Sequence, residues 1–281
     1  MRPSFLAAIT TIALALTVAR SPAQDSGKPE PIRVLDLGSD GRQFDQWFQR
    51  FGHQTGRTVV PERFGVRFQL PALKDDMTIG YSSAFSLAGD FEVQAQLEII
   101  SIPKPTAGYG PAIGLSADAE APDGSVGLTR GLSADGTPQF VVTRVIPAGT
   151  TGSEAKVEAD VYPASGNRAL LILRREKAEI VCFVADKPNV DARELKRVPF
   201  TTRRVRYLRL QASNGGSPTT VSGRLTGVRI QADEIVGGIT GTELDATRSY
   251  WWWWIPVAGL AFTAALVVRW YKRRAGRERE S

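Results

Sequence analysis

The chain has one cysteine, one histidine and two methionines in 281 residues. A single thiol, Cys182, cannot close an internal disulfide, so an exported fold built from this chain is stabilised by its core alone. A single imidazole, His53, excludes a three-histidine zinc site and a two-histidine iron triad, because each needs several imidazole or thiolate ligands converging on one ion. No Gly-x-Ser-x-Gly elbow exists to present a serine nucleophile to that histidine. The 27 glycines show no three-residue period and 42% of residues are apolar, which excludes collagen-like and largely disordered chains. No cofactor and no resident metal are implied.

The formal charge of +6 sits at the two ends. Arg2 and Arg20 precede Ser21 with no acid between them. After Val268 come Arg269, Lys272, Arg273, Arg274, Arg277 and Arg279 against Glu278 and Glu280. Residues 21–268 are therefore neutral overall. A basic pI confined to the ends gives no electrostatic footprint for nucleic acid, and no nucleic-acid partner is expected.

Both ends carry membrane signals. Arg2 precedes the apolar run Phe5 to Val18, which is too short to span a bilayer and is followed by Ser21-Pro22-Ala23. This pattern predicts a signal peptide over 1–23 with a linker over 24–33; the alternative is an uncleaved anchor helix, which Arg20 interrupts. Trp251 to Val268 carries no charge over 18 residues. As a helix it measures about 27 Å, close to a hydrocarbon core of roughly 30 Å. Trp251, Trp252, Trp253 and Trp254 load one end of it with amphipathic rings and Trp270 and Tyr271 load the other, as side chains at two headgroup levels would be. Arg269, Lys272, Arg273 and Arg274 orient it, since cationic flanks stay on the cytoplasmic side. The expectation is a transmembrane helix over 250–269, a basic cytoplasmic tail over 270–281 and a spacer over 237–249. The alternatives are a buried core helix and a tail removed by a sorting enzyme. The protein is expected to be a single-pass cell-membrane protein, with the lipid bilayer as a partner and its N-terminal domain outside the cytoplasm.

Between the ends the apolar residues recur with a period of two. Phe91-Glu92-Val93-Gln94-Ala95-Gln96-Leu97-Glu98-Ile99 alternates for nine residues and reads as a strand buried on one face. Val66 to Leu70, Leu208 to Ala212 and Val228 to Ala232 repeat the pattern, with a slip at Thr226-Gly227 that predicts a β-bulge. Ala169 to Leu173 and Ile180 to Val184 predict a hairpin with the charged tip 174–179. One helix is predicted, Gln43 to Phe51, from Phe44, Trp47, Phe48 and Phe51 on one face. Asp123-Gly124, Asp135-Gly136 and Asn214-Gly215-Gly216 mark turns.

Many strands without alternating helices predict an all-β fold over 34–236. Three segments carry a family resemblance: Ser86-Leu87-Ala88-Gly89-Asp90-Phe91-Glu92-Val93, Gly108-Tyr109-Gly110-Pro111-Ala112-Ile113-Gly114-Leu115 and Ser213-Asn214-Gly215-Gly216-Ser217-Pro218. They resemble an uncharacterised bacterial family of secreted domains of unknown function, itself similar to the concanavalin A-like lectin and glucanase sandwiches. The resemblance implies a concanavalin A-like (jelly-roll) β-sandwich ectodomain ahead of the C-terminal transmembrane helix. It carries no chemistry by itself. Sandwich glucanases place their carboxylates in a Glu-x-Asp-x-x-Glu pattern on one strand face. The near match is Glu158-Ala159-Asp160-Val161-Tyr162-Pro163, in which Pro163 stands where the second acid belongs. No catalytic residue is carried over, and Glu158 and Asp160 read as the solvated outer face of a strand.

Other chemistry-bearing residues read as structural. Cys182 alternates with Ile180 and Val184 and reads as a buried, inert thiol. His53 lies in a polar loop. Asp118, Glu120 and Asp123 crowd one loop with hard oxygens but match no known calcium-loop spacing. Arg193, Lys196, Arg197, Arg203, Arg204, Arg206 and Arg209 form the one basic stretch of the body, read either as an anion contact or as a solvated, aggregation-resistant edge. Sugar recognition commonly stacks an exposed aromatic ring against a pyranose. Trp47 lies on an apolar face, so Tyr109, between two glycines, is the ligand-binding candidate. Two functions follow as expectations: non-catalytic binding of a polysaccharide or a cell-envelope protein, and alternatively a divergent glycoside-active enzyme.

Overall fold

The computed structural model describes residues 32–237, apart from positions 39, 74, 120–122, 149–154 and 188–189. The expected leader (1–23), and the expected membrane helix and tail (250–281) with Trp251 to Trp254, Arg269, Trp270, Tyr271, Lys272, Arg273 and Arg274, lie outside the described residues. Among the described residues no helix is long and apolar enough to cross a membrane.

Among the described residues fifteen strands run in chain order. They are β1 (Ile32–Leu37), β2 (Phe48–Phe51), β3 (Val59–Glu62), β4 (Gly65–Leu70), β5 (Thr78–Ser83), β6 (Phe85–Ser101), β7 (Ala112–Ala119) and β8 (Ser125–Leu132), then β9 (Pro138–Ile146), β10 (Lys156–Pro163), β11 (Arg168–Glu176), β12 (Glu179–Ala185), β13 (Arg193–Pro199), β14 (Val205–Ser213) and β15 (Val221–Gly237). Every ladder is antiparallel. The contact of β14 with β6 is reduced to one pair, Val205 with Leu87. On either side of that bridge the strands form two leaves. The first is β10-β9-β8-β7-β14-β5-β2. The second is β13-β12-β11-β6-β15, with β1 and β4 side by side on the far edge of β15 and β3 beyond β4.

The alternation in the sequence sorts each strand between the two faces of its leaf. From the first leaf Tyr81, Leu115, Leu128, Phe140 and Leu210 point inward; from the second, Phe68, Val93, Leu171, Cys182 and Ile230 do, and all are fully buried. Each side chain of this size contributes about 1.5–3 kcal/mol on leaving water. The leaves approach closely at Gly223 of β15, where an added Cβ would lie 2.0 Å from Cδ1 of Ile113 on the opposite leaf. The predicted bulge falls in the same strand, between Leu225 and Gly227. The predicted hairpin is β11–β12, with a tip of two residues instead of six. Arg174 and Arg175 continue the ladder opposite Val181 and Ile180, and Lys177 takes the positive φ of +59° that the tight turn requires.

The helix predicted over 43–51 is a correction. Gly41–Gln43 is a 3₁₀ turn, α1 is the single turn Phe44–Trp47, and Phe48 opens β2 opposite Ser83. Phe44 and Phe48 are buried as the helical spacing demanded, but the pairing with β5 overrides it. Phe48 and Arg50 face inward, and Arg50 donates to Asp45 (Nε to Oδ1, 2.9 Å) and to the Tyr81 hydroxyl at 3.2 Å. A four-residue turn has too little cooperativity to compete with a strand ladder.

Among the described residues two buried inward positions hold arginine, one near each open end of the sandwich. Arg175 on β11 is 1% exposed. Its Nη1 donates to the Arg203 carbonyl at 2.6 Å, and its guanidinium lies 4.9 Å from the Phe91 ring centroid. Arg130 on β8, at the other end, donates to the carbonyls of Gly131 at 2.6 Å and Gly166 at 2.8 Å, over the ring of Phe140. Burial lowers the pKa of both guanidinium groups. Each links a strand of one leaf to a loop leading into the other. Along one side the leaves are tied by the Lys196 ammonium on Asp160 and by Arg193, whose Nη2 donates to the Pro163 carbonyl at 3.0 Å. Arg175→Ala is expected to lower the urea unfolding free energy by about 2–4 kcal/mol, through lost packing and an orphaned carbonyl. Arg174→Ala, one residue away on the outer face, should cost about 0.5 kcal/mol. Equal costs would show that Arg175 does not close the core.

Candidate functional site

The outward face of the seven-stranded leaf is laid out in rows by the strand register. One row crosses all seven strands as Phe51, Gly80, Gln211, Gly114, Thr129, Val141 and Val161. The next crosses them as Gln49, Ser82, Arg209, Ser116, Gly127, Thr143 and Ala159. Shorter rows flank these: Tyr207, Asp118, Ser125, Val145 and Val157 on one side, and Thr78, Ser213, Ala112, Gly131, Gln139 and Pro163 on the other. The middle of this face is a floor of small residues. Gly80, Gly114, Ser116, Gly127 and Gly131 are buried although they point away from the core, whereas Gln49, Ala159 and Val161 at the edges are exposed. The Ser82 hydroxyl on this floor is buried with no hydrogen-bond partner among the described residues.

Two ionisable groups stand on the floor and neutralise each other. Arg209 Nε lies 2.8 Å from Asp118 Oδ2, and the guanidinium carbon is 5.9 Å from the Phe51 ring centroid. Burial pushes the Asp118 carboxyl up, opposed by Arg209 and by Ser116. Tyr207 stands beside the pair, with the Arg206 guanidinium over its ring at 5.0 Å.

Tyr109, the candidate named from sequence, borders the Ser213 end of this face. It is half-buried, and its hydroxyl donates to Asp76 Oδ2 at 2.6 Å while Ser213 Oγ lies 3.4 Å from the other oxygen. Its loop is interlocked with the 214–216 turn. The Tyr109 amide donates to the Gly215 carbonyl at 3.0 Å. Gly110 has φ +102°, and a Cβ there would lie 1.9 Å from the Leu132 carbonyl oxygen, so only glycine fits. Asn214 is fully buried and anchors the arrangement, donating to the carbonyls of Leu73 and Asp75 and accepting from the Met77 amide.

The other sequence candidates do not come together. Glu158 and Asp160 share a face, but it is the face turned toward the other leaf, a correction to the expected solvated outer face. Asp160 pairs with Lys196, and Glu158 with Lys156 at 2.6 Å and Arg144 at 3.8 Å, because β10 is an edge strand whose inner face reaches past the core. His53 is exposed, and its carbonyl accepts from Thr58 Oγ1 at 2.8 Å. The Cys182 thiol is fully buried and its pKa is pushed up to about 12 by burial, which leaves no thiolate at neutral pH. Asp118 and Asp123 are taken by Arg209 and Arg203, Glu120 lies outside the described residues, and no cluster of three metal-ligating side chains occurs among the described residues. The basic stretch is divided between β13, the loop that carries Arg203 and Arg204, and β14, and the two strands belong to different leaves. Most of it is consumed by Asp160, Glu176, Glu194, Asp123 and Asp118. Sequence reading missed the small-residue floor. Its trace is there in Ile113-Gly114-Leu115-Ser116-Ala117-Asp118 and Val126-Gly127-Leu128-Thr129, where apolar residues alternate with small ones in place of charged ones.

This two-leaved antiparallel sandwich resembles the concanavalin A-like lectin folds. Among solved structures, the legume lectin-like domain from Entamoeba histolytica superposes with a TM-score of 0.50 at 14% identity, over 70% of this chain and 96% of that one. A functionally unknown protein from Saccharomyces cerevisiae gives 0.45 at 14% identity, over 69% and 97%. A glycosyl hydrolase family protein from Mycobacterium fortuitum gives 0.46 at 9% identity, over 71% and 99%. No curated protein matches the chain. Residues 37–250 match the family described as protein of unknown function (DUF1583), C domain, and the chain belongs to that family.

Tyr81 and Tyr109 both have hydroxyls pushed above their ordinary value of 10.0 by burial and by the carboxylates of Asp45 and Asp76. The folded state holds these protons more tightly than the unfolded state does. Their stabilisation is therefore complete below about pH 10 and is lost as pH rises beyond it. Urea unfolding should show stability falling above about pH 10, with a shallower fall in the Tyr81→Phe/Tyr109→Phe double variant; parallel curves would contradict the assignment.

Proposed function

We propose that this protein is a membrane-anchored extracytoplasmic module that binds polysaccharide without cleaving it, on the outward face of the seven-stranded leaf. The observation that carries the reading is the floor of Gly80, Gly114, Ser116 and Gly127. It crosses the strands between half-buried aromatic residues, Phe51, Tyr207 and Tyr109, and half-buried hydroxyl and amide side chains, Thr129, Thr143 and Gln211. Small residues let a chain of sugars lie close to the sheet, rings supply apolar contact, and side-chain amides and hydroxyls both donate and accept hydrogen bonds. The lectin-like fold supports this reading over an envelope-protein ligand. Binding is preferred to glycoside cleavage because the acid-x-acid pair, Glu158 and Asp160, faces the opposite leaf and is neutralised by Lys156, Arg144 and Lys196. Retaining cleavage needs two carboxyls about 5 Å apart on the sugar-binding face.

In this reading residues 1–23 are a signal peptide, 24–33 a linker whose last two residues already open β1, 237–249 a spacer that begins at the last residue of β15, 250–269 the transmembrane helix and 270–281 a cytoplasmic tail. The two aromatic belts and the Arg269 to Arg274 cluster support the helix and its orientation. Tethering to one membrane raises the local concentration of the module near envelope glycans. The full chain in detergent should be retained on insoluble polysaccharide, with no release of new reducing ends on incubation. Release would favour the glycoside-active alternative, and retention on none would reject both. A cytoplasm-active reporter fused after Ser281 should be functional; one that works only outside the cytoplasm would reverse the orientation.

A further inference from the structure

The two outer faces of this sandwich differ in charge. On the second leaf, Arg168, Glu98, Arg224 and Arg67 sit side by side on β11, β6, β15 and β4. With Glu62 they form a chain of ion pairs at 3.3, 3.4, 3.1 and 2.8 Å. Arg174 and Glu92 add a further pair at 2.5 Å on the same face. On the four rows of the first leaf only Arg209 and Asp118 are charged, and they face each other at 2.8 Å. Both faces belong to one chain that is neutral between its ends, so composition does not account for the difference. A face that only meets water is kept soluble and unpaired with least cost by interspersed charges, as the second leaf does. A sheet face seven strands wide without net charge is suited to a ligand that brings none.

A carboxylate or sulfate laid along the middle of this face would shed water and meet one guanidinium already engaged by Asp118, beside a buried carboxylate that repels it, with Arg206 only at the margin over the Tyr207 ring. That desolvation is not repaid without a counter-charge. An uncharged hydroxyl-rich chain meets partners of its own kind: Thr129, Thr143 and Gln211 are half-buried, and the partnerless Ser82 hydroxyl lies on the same floor. The rows run across the strands for roughly 29 Å, a length that suits an oligomeric ligand better than a single sugar. We infer that the ligand of this face is an uncharged polysaccharide lying across the strands. This rests on the polysaccharide-binding reading above.

The test separates the two. The full chain in detergent is offered neutral polysaccharides (cellulose, mixed-linkage β-glucan, mannan, chitin) and acidic ones (alginate, polygalacturonate, a sulfated galactan). Binding to one or more neutral polymers is expected, changed less than about two-fold between 50 and 500 mM salt, because no ion pair forms with the ligand. Thr129→Trp, which fills the middle of a row, should weaken it at least ten-fold, and Gln94→Trp on the second leaf should leave it unchanged. Gln211→Ala provides a second reading with little risk to folding, and unfolding midpoints verify each variant. Binding to acidic polymers alone, with affinity collapsing in salt, would overturn the inference and leave the binding reading standing. Neutral binding unaffected by both Thr129→Trp and Gln211→Ala would also overturn it, by removing the ligand from this face. Binding to neither class would overturn the inference and the reading together.

Discussion

Two β-leaves that share an apolar interior must be sealed where they part, and in this molecule the seal at each end is a buried arginine. The strands alternate so that one face of each leaf is apolar, which works well in the middle and leaves openings where β11 ends and where β8 ends. Arg175 and Arg130 occupy those inward positions. A long side chain with a planar, multi-donor head can lie over a core aromatic ring and still reach a carbonyl on a loop of the other leaf. Shorter apolar residues would fill the space without satisfying the carbonyls of Arg203 and Gly166. A chain with one cysteine has no disulfide to make this closure, so hydrogen bonds and packing carry it.

That closure frees the outer face of the seven-stranded leaf from a structural role. Its floor residues contribute little to the core, and the loop cluster of Tyr109, Asp76 and Asn214 braces one margin of it. The second leaf covers its outer face with ion pairs of small individual worth but strong affinity for water. One leaf is thus dressed for solvent and the other is bare. This division, more than any single residue, is what the functional reading stands on.

Much of the fold was legible because its signals are local. The nine-residue alternation from Phe91 falls inside β6, the hairpin around Lys177 is present, the slip at Gly227 is a bulge, and Cys182 is buried. The helix at Gln43 to Phe51 failed because four aromatic residues at helical spacing also satisfy a turn followed by a strand, and only the pairing with β5 decides between them. Glu158 and Asp160 were placed together correctly but on the wrong side. Period two says that two residues share a face and says nothing about which face meets the other leaf.

What the sequence by itself determined is therefore the strand content, the burial of alternate residues, the neutral body and the aromatic and basic signals at the C-terminal end, since each follows from near-neighbour periodicity or composition. What the tertiary structure decided is which residues become neighbours across strands far apart in the chain. Phe51, Gly80, Gln211, Gly114 and Thr129 occupy one row, and Arg209 meets Asp118, because ladders between β2, β5, β14, β7 and β8 set a register that no local pattern encodes. A face is a property of registers, and registers are chosen by the packing of the whole sandwich.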